Sequence, residues 1–328
     1  MTPAKRALMG LVVSALLWVF LELVLSVAGT PSAYRRDALG GWQVNAGLSN
    51  HRMHGMQEPH DFVMSTNPDG LRTTHTLQKE PDVLRIALMG DSNVFGWGVD
   101  DAETLSARLE MELHELGRVD VEVINAGQPG HSTTQMRWLF EEVLARYQPD
   151  LVLLVPTLHD HNLVHVSDAE ILDGPGGLAA AVRVFLARHS RVYAWLLTRV
   201  SPMATEPQLL PGTASSEPRV NRVTDTERTE NFERVAQGLN DWGGSLSLAL
   251  LPFYADLQLQ PEAPVVDRIG LDWLKAYGAQ TDVSLYDVRS CCGPGADSLV
   301  FEFDQGHLNA DGHAHVAKAL AAVLLPTL

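Results

Sequence analysis

The chain has 328 residues, of which 45% are apolar and 20% are charged, and its 24 basic and 40 acidic side chains give a net charge of −16. These values are typical of a folded globular protein and exclude disordered, collagen-like and disulfide-dense small secreted proteins. The excess of acidic side chains would repel nucleic-acid phosphates, so nucleic acid is not expected as a partner.

The first predicted element is an apolar helix over residues 7–29, in which Glu22 is the single charged residue. At about 1.5 Å per residue, a helix of this length spans roughly 34 Å, which is enough to cross a bilayer. A cleaved signal peptide, with Ser26 and Ala28 at the cleavage site, is the alternative, but its apolar region is usually only about 7 to 15 residues long. The length therefore favours a retained membrane anchor.

The charges on either side of this helix indicate its orientation. Residues 1–6 carry two basic side chains directly before the helix, whereas the next basic pair, at residues 35–36, follows it at a distance. The positive-inside rule then predicts a cytoplasmic tail over residues 1–6 and an acidic body outside the cytoplasm, periplasmic or extracellular. Glu22 is costly within a bilayer, so it could contact a helix of a membrane-protein partner, be protonated, or reach toward the interface.

The rest of the chain divides into a lead-in and a regular domain. Residues 30–80 show little periodicity and contain the turn sequence Asn-Pro-Asp-Gly, so they are predicted to form a stalk and a lead-in segment. Over residues 81–328, strands alternate with amphipathic helices, which is typical of a parallel sheet covered by helices on both faces. Gly, Pro, Ser and Thr are frequent within residues 165–225, where an insertion or flexible excursion is predicted. The predicted strands are 84–89, 119–124, 151–155, 247–251 and 283–288. The predicted helices are 105–116, 133–147, 226–241, 269–278 and 310–325.

Chemistry-bearing side chains follow the predicted strands, where ligands bind in an open parallel sheet. Ser92 comes directly after the first strand, and Asp304 and His307 precede the last helix. A serine hydroxyl becomes a good nucleophile when a histidine accepts its proton and a carboxylate orients that histidine. These three residues are therefore candidates for catalysis, and the backbone N–H groups of Ser92 and Gly127, with a side chain after the third strand, are candidate oxyanion donors. Each of these residues could instead have a structural role, as a helix cap or as a turn glycine.

These motifs resemble those of the SGNH (GDSL-type) hydrolase family. Gly-Asp-Ser at 90–92, the glycine of Asn-x-Gly at Gly127, and Asp-x-x-His at 304–307 stand in the family's order, and the resemblance covers about residues 81–328. It implies a flavodoxin-like three-layer α/β/α fold with about five parallel strands. It also implies ester hydrolysis through an acyl-enzyme, without a metal or an organic cofactor. The G-x-S-x-G elbow of the α/β-hydrolases is absent, because Val94 occupies its last position.

One block departs from the family's pattern. The third block, Gly-x-Asn-Asp, corresponds here to Thr-Leu-His-Asp at 157–160. His159 therefore replaces the asparagine that would donate to the oxyanion; an imidazole N–H can donate in its place, and Asn162 is an alternative donor. Loss of one oxyanion donor typically costs about 10²- to 10³-fold in rate, so the rate is expected to depend on this substitution.

The combined features predict a membrane-anchored serine esterase that acts on O-acyl groups outside the cytoplasm, on a small ester or an envelope glycan. The acidic body would repel polyanions, so a substrate that is neutral around its ester is favoured. The resemblance leaves an O-acetyltransferase with the same triad as one alternative. A non-catalytic domain that binds a glycan, or serves as a subunit of a membrane complex, is the other.

The remaining histidines and cysteines give weaker signals. His159, His161 and His165 alternate along one loop, a spacing that rarely brings three imidazoles to one ion, so no metal site is predicted. Cys291 and Cys292 are the two cysteines of the chain and are adjacent. A vicinal disulfide, an intermolecular bridge and two free thiols all stay open for them.

Overall fold

The computed structural model of the chain resolves into two compact units. Unit 1 comprises Met1–Asn45 and Glu170–Thr213, and unit 2 comprises Ala46–Ala169 and Ala214–Leu328. The residues that the structure describes are 2–28, 34–36, 42–54, 61–164, 167–172, 182, 185–186, 190–200, 220–252, 271–292, 296–302, 304 and 306–328. Much of the predicted excursion over residues 165–225 lies outside these ranges.

Unit 1 contains a long apolar helix, α1 (Pro3–Ala28), an antiparallel pair of short strands, β1 (Tyr34–Arg36) and β2 (Trp42–Val44), and helix α6 (Arg191–Val200). Helix α1 is long and apolar enough to cross a membrane, and its apolar side chains are largely exposed. Helix α6 packs against α1 and β1.

Unit 2 is built on a five-stranded parallel sheet. Its strands are β5 (Leu84–Met89), β6 (Val121–Asn125), β7 (Leu151–Leu154), β10 (Ser245–Leu250) and β11 (Ser284–Asp287). They lie in the order β11-β10-β7-β5-β6, and all four neighbouring pairs are parallel. Numbered along the chain, this is the 2-1-3-4-5 order of the flavodoxin-like fold, so the predicted fold class is confirmed.

Helices and two small hairpins complete unit 2. The helices are α2 (Ser92–Phe95), α3 (Leu105–Glu115), α4 (Thr133–Glu142), α5 (Asp168–Leu172), which continues into unit 1, α7 (Asp225–Asn240), α8 (Leu271–Gln280) and α9 (Ala310–Leu324). The hairpins pair β3 (His51–His54) with β4 (Asp61–Met64), and β8 (Leu163–Val164) with β9 (Val220–Asn221).

The helix predicted over residues 133–147 is shorter in the structure. It ends at Glu142, because Val143 leaves the helical region with φ −126°, and a 3₁₀ turn, Leu144–Tyr147, follows. The tighter turn carries Tyr147 to Asp69, to which its hydroxyl donates at 2.6 Å. A long-range contact thus determines the end of this helix, which the apolar periodicity could not reveal.

Alternate side chains of the sheet enter two separate cores, one on each face. Ile86 and Leu88 pack with the apolar faces of α3 and α9, whereas Ala87 and Met89 pack with α4, α7 and α8. Parallel strands buried on both faces are apolar at nearly every position, which is why the strands were visible as short apolar runs. The two cores confirm the predicted three-layer arrangement.

Candidate active site

Ser92 lies on a short turn that follows β5, the strand between β7 and β6. It is the first residue of α2, and the Asp91 side chain accepts a hydrogen bond from Asn93 N at 3.0 Å. The Thr157 hydroxyl donates to the second Asp91 oxygen at 2.8 Å, which links the loop after β5 to the loop after β7. Gly90 is required here, since a Cβ atom would lie 2.4 Å from Val94 Cγ2. The turn is therefore held from both sides.

Arg72, a residue of the lead-in segment, supports the end of this turn. Its guanidinium donates to the carbonyl oxygens of Phe95 at 3.1 Å, Gly96 at 2.7 Å and Val99 at 2.7 Å, and its Nε donates to Asp101 at 2.7 Å. The side chain is 1% exposed, so these carbonyls are satisfied without water. Sequence reasoning missed Arg72, because it lies in a segment without periodicity and outside the recognised motifs.

The structure brings the three predicted residues Ser92, His307 and Asp304 into one hydrogen-bonded line. His307 Nε2 lies 2.7 Å from Ser92 Oγ, and His307 Nδ1 lies 2.7 Å from Asp304 Oδ2. A neutral imidazole that donates Nδ1–H to the carboxylate has an unprotonated Nε2, which can accept the serine proton. The arrangement can therefore generate a nucleophilic serine oxygen.

The carboxylate of Asp304 is poised to remain ionised beside the imidazole. Burial raises the pKa of this carboxyl, but the hydrogen bond and the charge of His307 outweigh burial, so the pKa lies below its usual value. The side chains of both residues are about nine-tenths buried, which shields the pair from bulk water. An ionised, oriented carboxylate stabilises the imidazolium that forms when the serine loses its proton.

The loop that carries these two residues is tied at both ends. Asn309 caps α9 by accepting from Gly312 N at 2.9 Å, and its amide donates to Ser298 O at 2.7 Å and to Val300 O at 3.0 Å. On the other side, the Asn93 amide donates to Gly306 O at 3.3 Å, which joins this loop to the serine turn. Backbone contacts thus set the separation of His307 and the serine.

Gly127 approaches the serine turn closely, but its N–H group already has a partner. A Cβ atom at this position would lie 2.2 Å from Phe95 N, so only glycine allows the loop after β6 to come so near α2. The Gly127 N–H donates to Asn125 Oδ1 at 3.0 Å, and the Asn125 amide donates to Phe95 O at 3.3 Å. This predicted oxyanion donor would have to exchange or share its hydrogen bond with a substrate.

The other side-chain candidates, His159 and Asn162, lie together on the loop after β7. Asn162 Nδ2 is 3.4 Å from His159 Nδ1, so the amide donates to that nitrogen and leaves the proton of a neutral ring on Nε2. His159 Nε2 lies 3.8 Å from Asp91 Oδ2, beside the serine turn. In this geometry His159 can donate from Nε2, and the amide of Asn162 orients its ring.

A buried ion pair anchors the loop that carries His159. Asp160 accepts from Thr133 N at 2.8 Å, from the Thr133 hydroxyl at 2.9 Å, and from Arg228 Nε at 3.1 Å. The side chains of Asp160 and Arg228 are each 1% exposed. Since removing one partner of such a pair leaves an uncompensated buried charge, the loop is firmly held to α4 and α7.

The remaining histidines and cysteines are placed apart from this line. Arg228 Nη2 lies 2.8 Å from His161 Nε2, and burial, followed by the Arg228 charge, lowers the pKa of that histidine; His165 lies outside the described residues. Elsewhere, Cys291 and Cys292 lie with sulfur atoms 3.3 Å apart near His315. A hydrogen bond from Cys292 lowers the pKa of the Cys291 thiol to about 7.

A scan against models of protein families finds no match to the chain, and a search of curated proteins finds none. Among solved structures, the chain is similar to a lipase/acylhydrolase from Enterococcus faecalis, with 16% identity and a TM-score of 0.48 over 75% of this chain and 97% of that one. It is also similar to a catalytic mutant of an acetylxylan esterase from Geobacillus stearothermophilus, with 14% identity and a TM-score of 0.45 over 75% of this chain and 95% of that one. The chemistry of the site therefore rests on its own geometry.

Proposed function

We propose that the chain is a serine esterase that hydrolyses carboxylic esters. Ser92 would be the nucleophile, His307 the proton carrier, and Asp304 the carboxylate that orients the histidine. The observation that supports this proposal is the unbroken hydrogen-bonded line through the three side chains, with two distances of 2.7 Å. A helix-capping role would explain one of these side chains at a time, but not their alignment.

The acylation step follows from the direction of these hydrogen bonds. The Ser92 oxygen attacks the ester carbonyl carbon while its proton passes to His307 Nε2, and the carbonyl electrons move to the oxygen. When this tetrahedral intermediate collapses, the bond to the alkoxy group breaks and the imidazolium returns its proton to the leaving alcohol. The acyl group is then bound to the serine.

The second half of the reaction reverses these roles. Water donates a proton to His307 and attacks the acyl carbon, and the released serine oxygen recovers its proton as the carboxylic acid leaves. A sugar hydroxyl in the position of this water would transfer the acyl group instead of hydrolysing it. The same side chains would therefore serve the transferase alternative, and the acceptor decides between the two.

Donors near the serine turn would stabilise the oxyanion of both intermediates. The Ser92 N–H lies at the first position of α2, where helix geometry provides no intrahelical acceptor. His159 Nε2 supplies a side-chain donor, oriented by Asn162, and Gly127 N–H would join them by exchanging its bond with Asn125. Donors of this kind act on charge that develops in the transition state.

The proposed setting is the outer surface of a membrane, with α1 as the anchor and unit 2 outside the cytoplasm. The apolar length of α1 and the basic residues before it support this topology. An O-acyl group on an envelope glycan, neutral around its ester, is the substrate class that suits an acidic protein in this place.

A fluorophosphonate probe tests the nucleophile directly. The full chain should be labelled covalently, and Ser92→Ala should abolish labelling, because the probe reacts with an activated serine. Ser298→Ala is the matched control: that serine is exposed, so its loss should leave labelling unchanged. Absence of labelling in chain that circular dichroism shows to be folded would favour the non-catalytic alternative.

The proposed topology needs a separate experiment. In a chain whose two cysteines are changed to serine, Ser298→Cys places one thiol on the exposed surface of unit 2. A membrane-impermeant maleimide should reach this thiol from outside intact cells. Labelling only after the cytoplasm is opened would contradict the extracytoplasmic location.

A further inference from the structure

The carboxylate of Glu22 is fully engaged within unit 1. It accepts hydrogen bonds from the Ser190 hydroxyl, from Arg191 N at 2.9 Å, and from Val192 N at 3.2 Å. The Arg191 guanidinium also donates to Leu25 O at 3.2 Å, one turn further along α1. The partner of the charged residue in the apolar helix is thus a segment of its own chain, 168 positions away.

These contacts complete the cap of α6. Glu22 receives the first two N–H groups of the helix, and the Ser190 oxygen accepts the third, from Tyr193 N, at 3.0 Å. The first turn of a helix carries unsatisfied N–H groups and a partial positive charge, so a carboxylate is well suited to this position. The same contacts satisfy a charge that would be costly in an apolar environment.

The position of Glu22 along α1 sets the depth of this junction. Glu22 precedes Ala28, the last residue of α1, by six residues, which corresponds to about 9 Å along the helix axis. Amphipathic helices that lie in a membrane interface bury their apolar face about 5–10 Å below the headgroup boundary. With the end of α1 at the headgroup boundary, the junction would lie at the depth of an interfacial helix.

The charge of the segment around α6 is opposite to that of the protein. Residues 174–205 contain four arginines and no acidic residue, so the rest of the chain carries −20, given a total of −16. The arginines are interspersed with apolar and aromatic side chains, which is typical of a segment that binds an anionic lipid surface. Tyr193 and Trp195 are of the types enriched at membrane interfaces.

Apolar side chains of this segment are exposed in unit 1. The exposed fractions are 47% for Val182, 60% for Phe185 and 38% for Leu196. The apolar side chains of α1, to which the segment is tied at Glu22, are exposed as well. Exposed apolar side chains that are tied to an apolar helix and lie in a basic stretch of sequence fit lipid better than they fit water.

We propose that α6, with Val182 and Phe185 before it in the chain, forms a second membrane contact, in which apolar side chains enter the acyl region. The positive charge of this stretch of the sequence would draw the contact to anionic lipid headgroups. The Glu22 junction joins this contact to α1. The proposal rests on the proposed crossing of the membrane by α1. The chain is then held to the bilayer by α1, which crosses it, and by the segment, which lies along its surface. This second contact limits how α1 can tilt and rotate.

Spin labels on the full chain in nanodiscs test this contact. In the chain without native cysteines, single cysteines replace Phe185, Leu196 or Leu16, and Val119 provides a control on unit 2 that is 75% exposed. Labels at positions 185 and 196 should be more accessible to oxygen than to a water-soluble nickel complex, as at position 16, whereas position 119 should show the reverse. Arg→Gln changes at Arg183, Arg188 and Arg199, which keep the bond of Arg191 to Leu25 O, should shift positions 185 and 196 toward the nickel complex.

The outcomes separate this proposal from the anchor. Water-like labels at 185 and 196 beside a lipid-like label at 16 would overturn the second contact and leave the anchor intact, whereas a water-like label at 16 would overturn both. Spin–spin broadening at position 196 that occurs only in discs with two copies would indicate that a second copy of the chain, and not lipid, covers this surface. Glu22→Gln should shift position 196 toward the nickel complex and leave position 16 unchanged; no shift would contradict the role of the junction.

Discussion

The two sides of the candidate active site differ in how completely their hydrogen bonds are prepared for a substrate. On the acid–base side, both bonds between Asp304, His307 and Ser92 are short, and each side chain points at its reaction partner. On the proposed oxyanion side, Gly127 N–H is bonded to Asn125, and His159 stands where the third block of the resembled SGNH pattern has an asparagine. The proposed nucleophile is therefore already hydrogen-bonded as its reaction requires, whereas the proposed oxyanion site would need Gly127 N–H to exchange its bond when a substrate binds.

Breaking the acid–base side should have the largest effect. Asp304→Asn would favour the wrong imidazole tautomer, because an amide can donate to Nδ1 where the carboxylate accepts from it. The expected loss in kcat is about 10⁴-fold, measured with nitrophenyl acetate. The control Asp311→Asn changes an exposed aspartate in the first turn of α9 and should keep full activity. Equal losses in the two variants would remove the special role of Asp304.

Substitutions on the oxyanion side should have a smaller but measurable effect on kcat. His159→Ala is expected to lower kcat by about 10²- to 10³-fold with little change in KM, since the donor acts on charge formed in the transition state. Asn162→Ala should cost less, because it alters only the orientation of His159, and His159→Asn should recover part of the loss. An unchanged kcat in His159→Ala would exclude this residue from the oxyanion site.

The contact between the two sides can be tested through Gly127. A Cβ atom at this position would meet Phe95 N at 2.2 Å, so Gly127→Ala should lower the free energy of unfolding by about 3 kcal/mol. Gly117→Ala provides the control, because its Cβ would meet nothing within 4 Å although φ is +93°. That change should cost only about 1 kcal/mol. Denaturant unfolding measures both, and equal costs would refute the close approach.

The effect that is smallest at neutral pH concerns His313, which follows the acid–base loop in the first turn of α9. Burial lowers the pKa of this histidine to about 3, and the charges of Arg72, His307 and Arg108 act in the same direction. The folded chain therefore keeps His313 neutral, while the unfolded chain binds a proton below about pH 6.5, so stability falls as the pH falls through this range.

Substitution of this histidine should flatten the pH dependence. His313→Leu is expected to reduce the slope of unfolding free energy against pH by about 1.4 kcal/mol per pH unit between roughly pH 4 and 6, the value for one proton. The exposed His315→Leu, on the same helix, is the matched control. If His313→Leu kept the wild-type slope, the buried neutral histidine would not account for the acid sensitivity.

The sequence was most informative where local chemistry determines structure. Parallel strands such as β5 are buried on both faces, so they appear as apolar runs, and the serine and histidine motifs stand at strand and helix ends that the periodicity locates. The predicted end of α4 at residue 147 was wrong, because the helix ends at Glu142 and a 3₁₀ turn follows, in which Tyr147 contacts Asp69. No local pattern records such a contact.

Side-chain pairings over long separations were beyond the sequence. Arg72 supports the serine turn from a segment without periodicity, and Glu22 meets Ser190 far along the chain. The bond between Gly127 N–H and Asn125 depends on the orientation of the Asn125 side chain, whose amide donates to the Phe95 carbonyl oxygen. These pairings follow from tertiary packing, which motif spacing does not specify.

Trapping the acyl-enzyme tests the central proposal most directly. The full chain is mixed with nitrophenyl acetate, the reaction is quenched in acid, and the digested peptides are analysed by mass spectrometry. The proposed mechanism predicts one added acetyl group on the peptide that contains Ser92, and none in Ser92→Ala. Ester hydrolysis by the purified chain without acetyl on Ser92, or an acetyl group that persists on the same peptide in Ser92→Ala, would contradict it.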